Sequence, residues 1–345
     1  MTEEARETPQ VDFTYCNRCG LCGSLCPTGA FTVTDISDKK LVQYTEMISD
    51  FTEHIAFCCE IQADDMPDLR SAPPVVLPCL ARLNEATLVG AAAEGVKGIW
   101  ANSSWCDTCV NNNAKPIIEK KVGLSRSLIS VFGGSCDIEY SEEPPDIFNK
   151  RRLFRKKLPP LADFEPVSRR GFFDNIKEGV IKTGLVLIDN ELSNFVRRPG
   201  SAGPEYHLPY ERWSLLSSIG KLGPSDEVQL ETDNFPWRNV RISEACSGCE
   251  SCILYCPSNA LTKERLDDKA VIAFSLSKCV KCDVCRDLCP EKAVTFSDSF
   301  LSSSLSERDR RALVSFTSST CTQCKAEFLS QEKADLCRYC EKKQA

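Results

Sequence analysis

Histidine is nearly missing from this 345-residue sequence, with His54 and His207 the two copies. Imidazole is the usual acid–base group near neutral pH, so general acid–base chemistry has little to work with. No G-x-G-x-x-G follows a strand-like run, no P-loop occurs, and no nucleophile–histidine pair is evident. The common nucleotide-binding and acyl-transfer signatures are therefore lacking. No stretch approaches the roughly eighteen apolar residues of a membrane helix. The nearest, residues 180–188, is broken by Lys182. The opening MTEEARETPQ is acidic, with no basic region leading into an apolar one, so no signal peptide is expected and the expected location is cytoplasmic. Basic excess is lacking too: 42 Lys and Arg against 49 Asp and Glu give a net charge of -7, which offers no electrostatic footprint for nucleic acid.

What the sequence has in abundance is cysteine, at 22 residues. Most fall at spacings of two or three, which favours metal ligation over disulfides in a chain without export signals. The length points to two or three folded units. Composition divides the chain further, with cysteines up to Cys136, none from Asp137 to Ala245, and a dense set from Cys246 onward. Expected boundaries are 1–35, 36–140, 141–240, 241–300 and 301–345. The cysteine-free middle is rich in proline and reads as connecting structure. It carries one helix-like stripe over 172–192, formed by Phe173, Ile176, Val180 and Leu187. The basic run 150–157 reads as a solvated linker, or else as a docking patch for an acidic partner.

The pattern C-x2-C-x2-C-x3-C-P occurs three times: Cys16, Cys19, Cys22, Cys26; Cys246, Cys249, Cys252, Cys256; and Cys279, Cys282, Cys285, Cys289. Three consecutive thiolates at this spacing wrap one 4Fe-4S cube while the fourth points toward a neighbouring cluster. The second and third copies lie close together and resemble the bacterial two-cluster ferredoxin over residues 242–299. That resemblance implies one 4Fe-4S cluster on Cys246, Cys249, Cys252 and Cys289, and another on Cys279, Cys282, Cys285 and Cys256. The first copy stands alone, and its fourth ligand is either Cys26 or a remote cysteine.

Between 54 and 136, strand-like segments (54–57, 75–77, 98–101, 128–132) alternate with helix-like ones (84–94, 110–122), as in a parallel α/β sheet. A cysteine follows each expected strand: Cys58 and Cys59, Cys79, Cys106 and Cys109, then Cys136. Ligands in such sheets bind beyond the carboxyl ends of the strands. The segments Phe57-Cys58-Cys59, Leu77-Pro78-Cys79-Leu80-Ala81-Arg82, Glu94-Gly95-Val96-Lys97-Gly98 and Cys106-Asp107-Thr108-Cys109 are similar to the delta iron–sulfur subunit of the hydrogenase that feeds heterodisulfide reductase. Ile61-Gln62 and Ser104-Trp105-Cys106 depart from that family's pattern. The resemblance implies a further cluster, 2Fe-2S or 4Fe-4S, with Cys59, Cys79, Cys106 and Cys109 as the favoured ligands and Cys58 and Cys136 as substitutes. It also implies electron relay between a hydrogenase or formate dehydrogenase and a flavin-containing reductase.

The last cysteines form two C-x2-C pairs, Cys321 with Cys324 and Cys337 with Cys340, suited to a four-thiolate zinc ribbon or to mononuclear iron. The expected fold is thus mixed: an α/β parallel sheet with a ferredoxin half-motif, an α+β two-cluster module, and a small zinc-ribbon-like tail. The expected function is an iron–sulfur electron-transfer subunit of an oxidoreductase complex, itself without catalysis, holding three 4Fe-4S clusters, one further cluster and a zinc or iron. Larger redox subunits would be its partners. A thiol–disulfide reductase using the strand-end cysteines, or an iron–sulfur maturation factor, are the alternatives.

Overall fold

The computed structural model describes residues 11–344 apart from 68, 70, 71, 73, 150–158, 167–207, 224–226, 267, 268, 306–309, 332 and 333. The expected helix over 172–192, the basic run 150–157 and His207 lie outside the described residues.

A short helical turn α1 (Leu21–Leu25) and a helix α2 (Asp38–Ser49) precede the first sheet. Ser37 caps α2, its hydroxyl accepting from the Lys40 amide at 3.2 Å. Four strands then form a wholly parallel sheet: β1 (His54–Cys59), β2 (Pro74–Leu77), β3 (Gly98–Asn102) and β4 (Asp137–Ser141), in the order β2-β1-β3-β4. β1 and β3 are buried along their whole length, which is why they read as continuous apolar runs. Helix α3 (Glu85–Ala93) carries the chain from β2 to β3. Asn84 caps it by accepting from the Thr87 amide at 2.9 Å, and its alanines allow close packing. Helix α4 (Lys115–Val131) joins β3 to β4, with Pro116 in its first turn.

The expected strand at 128–132 is instead the end of α4. Leu128 and Ile129 continue a buried stripe from Ile118, Val122 and Ser125 at helical spacing, and Gly133 ends the helix at φ 72°. A short apolar run has no period of its own, so only the longer stripe distinguishes the two readings.

Downstream, α5 (Tyr210–Leu222) packs against α2 and α3. Then follow β5 (Gln229–Glu231), β6 (Asn239–Ile242), the turn α6 (Ser251–Leu254), β7 (Leu261–Leu266), β8 (Lys269–Phe274), the turn α7 (Val284–Asp287), β9 (Val294–Ser297), β10 (Ser299–Leu301), β11 (Arg311–Thr320), β12 (Glu327–Ser330) and α8 (Arg338–Gln344). β6 pairs with β9 and β5 with β10, both antiparallel. A second sheet runs β12-β11-β8-β7, entirely antiparallel.

Packing divides the chain differently from composition. The stretch expected as a connector supplies α5 to the parallel-sheet side, while its fully buried Trp237 joins the C-terminal core. Arg212 of α5 stacks 4.7 Å from the Trp237 ring and donates to the Pro236 carbonyl at 2.9 Å. The tail is likewise not separate, because β11 extends the β7–β8 hairpin. One apolar core runs from α2 and the sheet through α5 to Phe316, and a smaller cluster of Ala56, Ala72, Trp100 and Phe148 covers the other sheet face. No helix among the described residues is long and apolar enough to cross a membrane.

Candidate functional site

The three four-cysteine motifs share a backbone as well as a spacing. Each has three residues in the left-handed region at equivalent places: Arg18, Gly20 and Gly29 (φ 54°, 75°, 70°); Gly248, Glu250 and Asn259 (70°, 62°, 53°); Lys281, Asp283 and Lys292 (58°, 60°, 51°). Each third cysteine sits in a short helical turn: Cys22 in α1, Cys252 in α6 and Cys285 in α7. The turn after the fourth cysteine also repeats. Cys26 Sγ accepts from the Ala30 amide at 3.2 Å, and Cys289 Sγ accepts from the Ala293 amide at 3.3 Å. The Thr28 hydroxyl lies 3.4 Å from Cys26 Sγ, and that of Ser258 lies 3.9 Å from Cys256 Sγ.

In the C-terminal pair these backbones bring together thiols from different motifs. Cys246, Cys249 and Cys289 all act electrostatically on Cys252, which burial and these neighbours push up to about 12. Cys279, Cys256 and Cys282 act on Cys285, which is raised likewise. A cavity is lined by Cys256, Cys279, Cys282 and Cys285, with Arg238 and Phe296 at its wall. Burial pushes Cys279 up to about 11, against which the Lys281 and Arg238 amides and the Arg212 charge favour its thiolate.

At the parallel sheet, the connection from β1 leads to β2 on one side and the chain then returns to β3 on the other. The carboxyl ends of β1 and β3 therefore border a topological switch point. Cys59 ends β1, Cys79 follows β2 and Cys106 follows β3. Burial pushes Cys79 up to about 11, and the charges of Cys19, Cys59 and Cys106 add to the rise. Cys106 is raised by burial while the Tyr140 hydroxyl opposes, with Cys59 and Cys109 nearby. Gln62, fully buried, accepts from Cys59 Sγ at 3.3 Å and donates to the Ser104 hydroxyl at 3.3 Å, tying β1 to the loop that carries Cys106.

Two expected substitutes do not join this set. Cys136 precedes β4, whose Asp137 pairs with Gly98 at the start of β3. It therefore lies at the amino edge of the sheet, about 13 Å from the carboxyl edge at the usual rise per residue. Its thiol is raised to about 12 by burial and by Asp137. Because 128–131 is helix and the strand begins only at Asp137, Cys136 precedes the last strand instead of following it. Cys58 alternates with Cys59 along β1, so it faces with Ala56 toward the small cluster behind the sheet.

The first motif packs directly on this edge. Ser24 Oγ donates to the Ala81 carbonyl at 2.7 Å, and Asn17 Nδ2 donates to Asn111 Oδ1 at 3.0 Å. Lys121 of α4, buried and lowered by that burial, donates to the carbonyls of Ser24 at 3.2 Å and Leu83 at 3.0 Å. Arg82 is fully buried, donates to the Ile36 carbonyl and pairs with Asp38 at 2.8 Å. Sequence reasoning missed this docking. Its signals were Arg82 and Lys121, cations in apolar surroundings that call for nearby acceptors.

In the tail, Cys321, Cys324, Cys337 and Cys340 hold their sulfurs within 4.8 Å of one another. Four thiolates around one tetrahedral zinc at 2.3 Å would lie ~3.8 Å apart, and Cys324 and Cys337 are separated by 3.7 Å. The amides of Cys324 and Cys337 hold Cys321 down to about 6, the latter donating to its sulfur at 3.2 Å.

Two family models match the chain. Residues 245–293 match the 4Fe-4S dicluster domain, and residues 9–32 match the 4Fe-4S binding domain. The chain carries ferredoxin-type iron–sulfur modules. No curated protein matches it. The parallel sheet, α5 and the four-cysteine tail fall outside both matched segments. Within the ferredoxin-type modules the donors suit the group: soft thiolates in threes, amides directed at sulfur, and buried thiols whose proton a cluster iron would displace.

Proposed function

We propose that the chain is a multi-cluster electron-transfer protein, a subunit that relays electrons between larger redox enzymes. The observation that carries this reading is the crossed grouping of the C-terminal cysteines. Cys256 sits with Cys279, Cys282 and Cys285, and Cys289 with Cys246, Cys249 and Cys252, so two sites share one small fold. Bound 4Fe-4S clusters supply one-electron reduction and oxidation. The chain's own residues hold them side by side, and the apolar packing of Trp237, Phe274 and Phe300 excludes water from between the strands. Cys16, Cys19 and Cys22 hold a third cluster, and the sheet-edge thiols Cys59, Cys106 and Cys109 belong to a fourth site. The tail cysteines hold a structural zinc that closes the end of the β11–β12 hairpin.

The donor and acceptor classes follow from the likeness of the sheet-edge segments to the hydrogenase delta subunit. A hydrogenase or formate dehydrogenase would supply electrons and a heterodisulfide-reductase-like enzyme would take them. Iron, sulfide and zinc are to be measured on anaerobically purified full-length protein, with paramagnetic resonance recorded during stepwise reduction. The expected content is about 14 to 16 irons per chain, from three cubes and one further cluster, together with one zinc and several signals at separate potentials. Four or fewer irons with no reducible signal would end this reading.

A further inference from the structure

The first motif has three thiolates at the spacing that wraps a cube and a fourth cysteine, Cys26, in the turn after them. In the C-terminal pair, Cys256, the cysteine before proline, lines one cavity with Cys279, Cys282 and Cys285 of the neighbouring motif. Cys26 occupies the same turn. It has the same left-handed residue three positions on, the amide bond to sulfur seen at Cys289, and the hydroxyl contact seen at Cys256. By this likeness of backbone, Cys26 is expected to leave its own three thiolates as Cys256 does. Cys16, Cys19 and Cys22 therefore need a thiolate from outside their motif.

One is beside them. The chain from Cys19 to Ser24 runs along Cys79 to Leu83: Gly20 abuts Arg82, Ser24 bonds the Ala81 carbonyl, and Lys121 spans Ser24 and Leu83. Cys79 is also rigidly presented. It follows β2 and Pro78, and its carbonyl accepts from the Arg82 amide at 3.0 Å, the residue whose guanidinium is locked to Ile36 and Asp38.

We propose that Cys79, from the end of β2, supplies the fourth thiolate to the cluster held by Cys16, Cys19 and Cys22, in place of Cys26. This rests on the reading above that the first motif holds a cluster. The ferredoxin half-motif and the sheet then form one composite centre, with Cys59, Cys106 and Cys109 belonging to its immediate neighbour. The first cluster would lock the N-terminal segment to the sheet by a bond from each.

The test uses full-length protein purified anaerobically, with iron counts and paramagnetic resonance. Cys16→Ser defines the first-motif signal and Cys106→Ser the sheet-edge signal. Cys79→Ser is expected to change the signal that Cys16→Ser changes, with one iron of four lost from that cluster, while Cys26→Ser leaves it intact. If Cys79→Ser alters only the Cys106-dependent signal, or if Cys26→Ser abolishes the Cys16-dependent one, the assignment is overturned and the electron-transfer reading stands. A Cys16→Ser protein that keeps every signal would overturn the reading of the first motif itself. The signals of the C-terminal pair report folding in each variant. Should Cys79→Ser fail to fold, Cys26→Ser decides alone.

Discussion

A Cβ placed on Gly20 would lie 2.5 Å from Cδ of Arg82, whose guanidinium is pinned by the Ile36 carbonyl and Asp38. The contact couples the loop of the first motif to the start of α2 and to the chain just beyond Cys79. Arg82 cannot swing aside without giving up acceptors while still buried. Gly20 also sits at φ 75°, where a side chain is strained. Gly20→Ala is therefore expected to destabilise the folded chain by about 1–3 kcal/mol, the usual range for a strained backbone position, and to loosen the first motif before the rest. Thermal unfolding together with iron loss from the Cys16-dependent signal measures this. An unchanged midpoint and full iron retention would show that the close approach is not maintained in solution.

Glu211 on α5 faces Asp38 of α2, Glu85 of α3, Lys121 of α4 and its neighbour Arg212. Burial, reinforced by the two carboxylates, pushes it up to about 8, and its Oε2 is buried without a hydrogen-bond partner among the described residues. The folded value lies above the ordinary one, so the stability it contributes is fully present at low pH and is lost as pH rises through 8. Glu211→Gln should flatten that slope and stabilise the protein at pH 9 by on the order of 1–3 kcal/mol, with little change at pH 5. Unfolding midpoints of the two proteins across this range provide the measurement. A difference that does not grow with pH would mean Glu211 is ionised throughout.

The crossed cysteines give a separate expectation. Cys256→Ser should damage the cluster that depends on Cys279, Cys282 and Cys285, and Cys289→Ser the one that depends on Cys246, Cys249 and Cys252. Each is expected to cost iron from one cube, about four irons at most, in the motif it does not belong to. Pairing each variant with Cys249→Ser or Cys282→Ser and comparing resonance signals checks this. Losses confined to the motif of origin would show that each motif closes its own cluster.

How legible these sites were depends on how local their causes are. The three motifs could be read directly, because the C-x2-C-x2-C-x3-C-P spacing carries its own backbone, down to the left-handed residues around Cys19, Cys249 and Cys282. β1, β2 and β3 were legible as largely apolar runs with a cysteine at or soon after the carboxyl end. Cys136 was not, because its place depended on whether 128–132 was strand or helix, and the helical stripe that decides this begins at Ile118. The packing of the first motif against the chain just beyond Cys79 was hidden for a different reason: Cys19 and Cys79 are sixty residues apart, and what joins their segments is Gly20, Ser24, Arg82 and Lys121, none of which a metal motif would single out. The exchange of β11 into the ferredoxin hairpin sheet was equally long-range, since nothing local to Arg311–Thr320 names β8 as its partner.

The tail offers the last test. β11 is held on one side by β8 and on the other by β12, while the four sulfurs join the β11–β12 turn to the start of α8. Removing one thiolate should therefore release the metal and free the segment from Cys321 onward, yet leave the β11–β8 pairing and the nearby clusters in place. Metal binding and local folding are coupled at such sites, so the loss is expected to be all or none at each chain. Cys324→Ser is expected to lower zinc by one per chain, to open residues 321–344 to limited proteolysis, and to leave the 4Fe-4S signals unchanged. Metal analysis, protease mapping and resonance spectra on the same preparation report all three. Loss of a reducible chromophore without loss of zinc would show that the four thiolates hold iron, and the tail would then join the electron path instead of closing the fold.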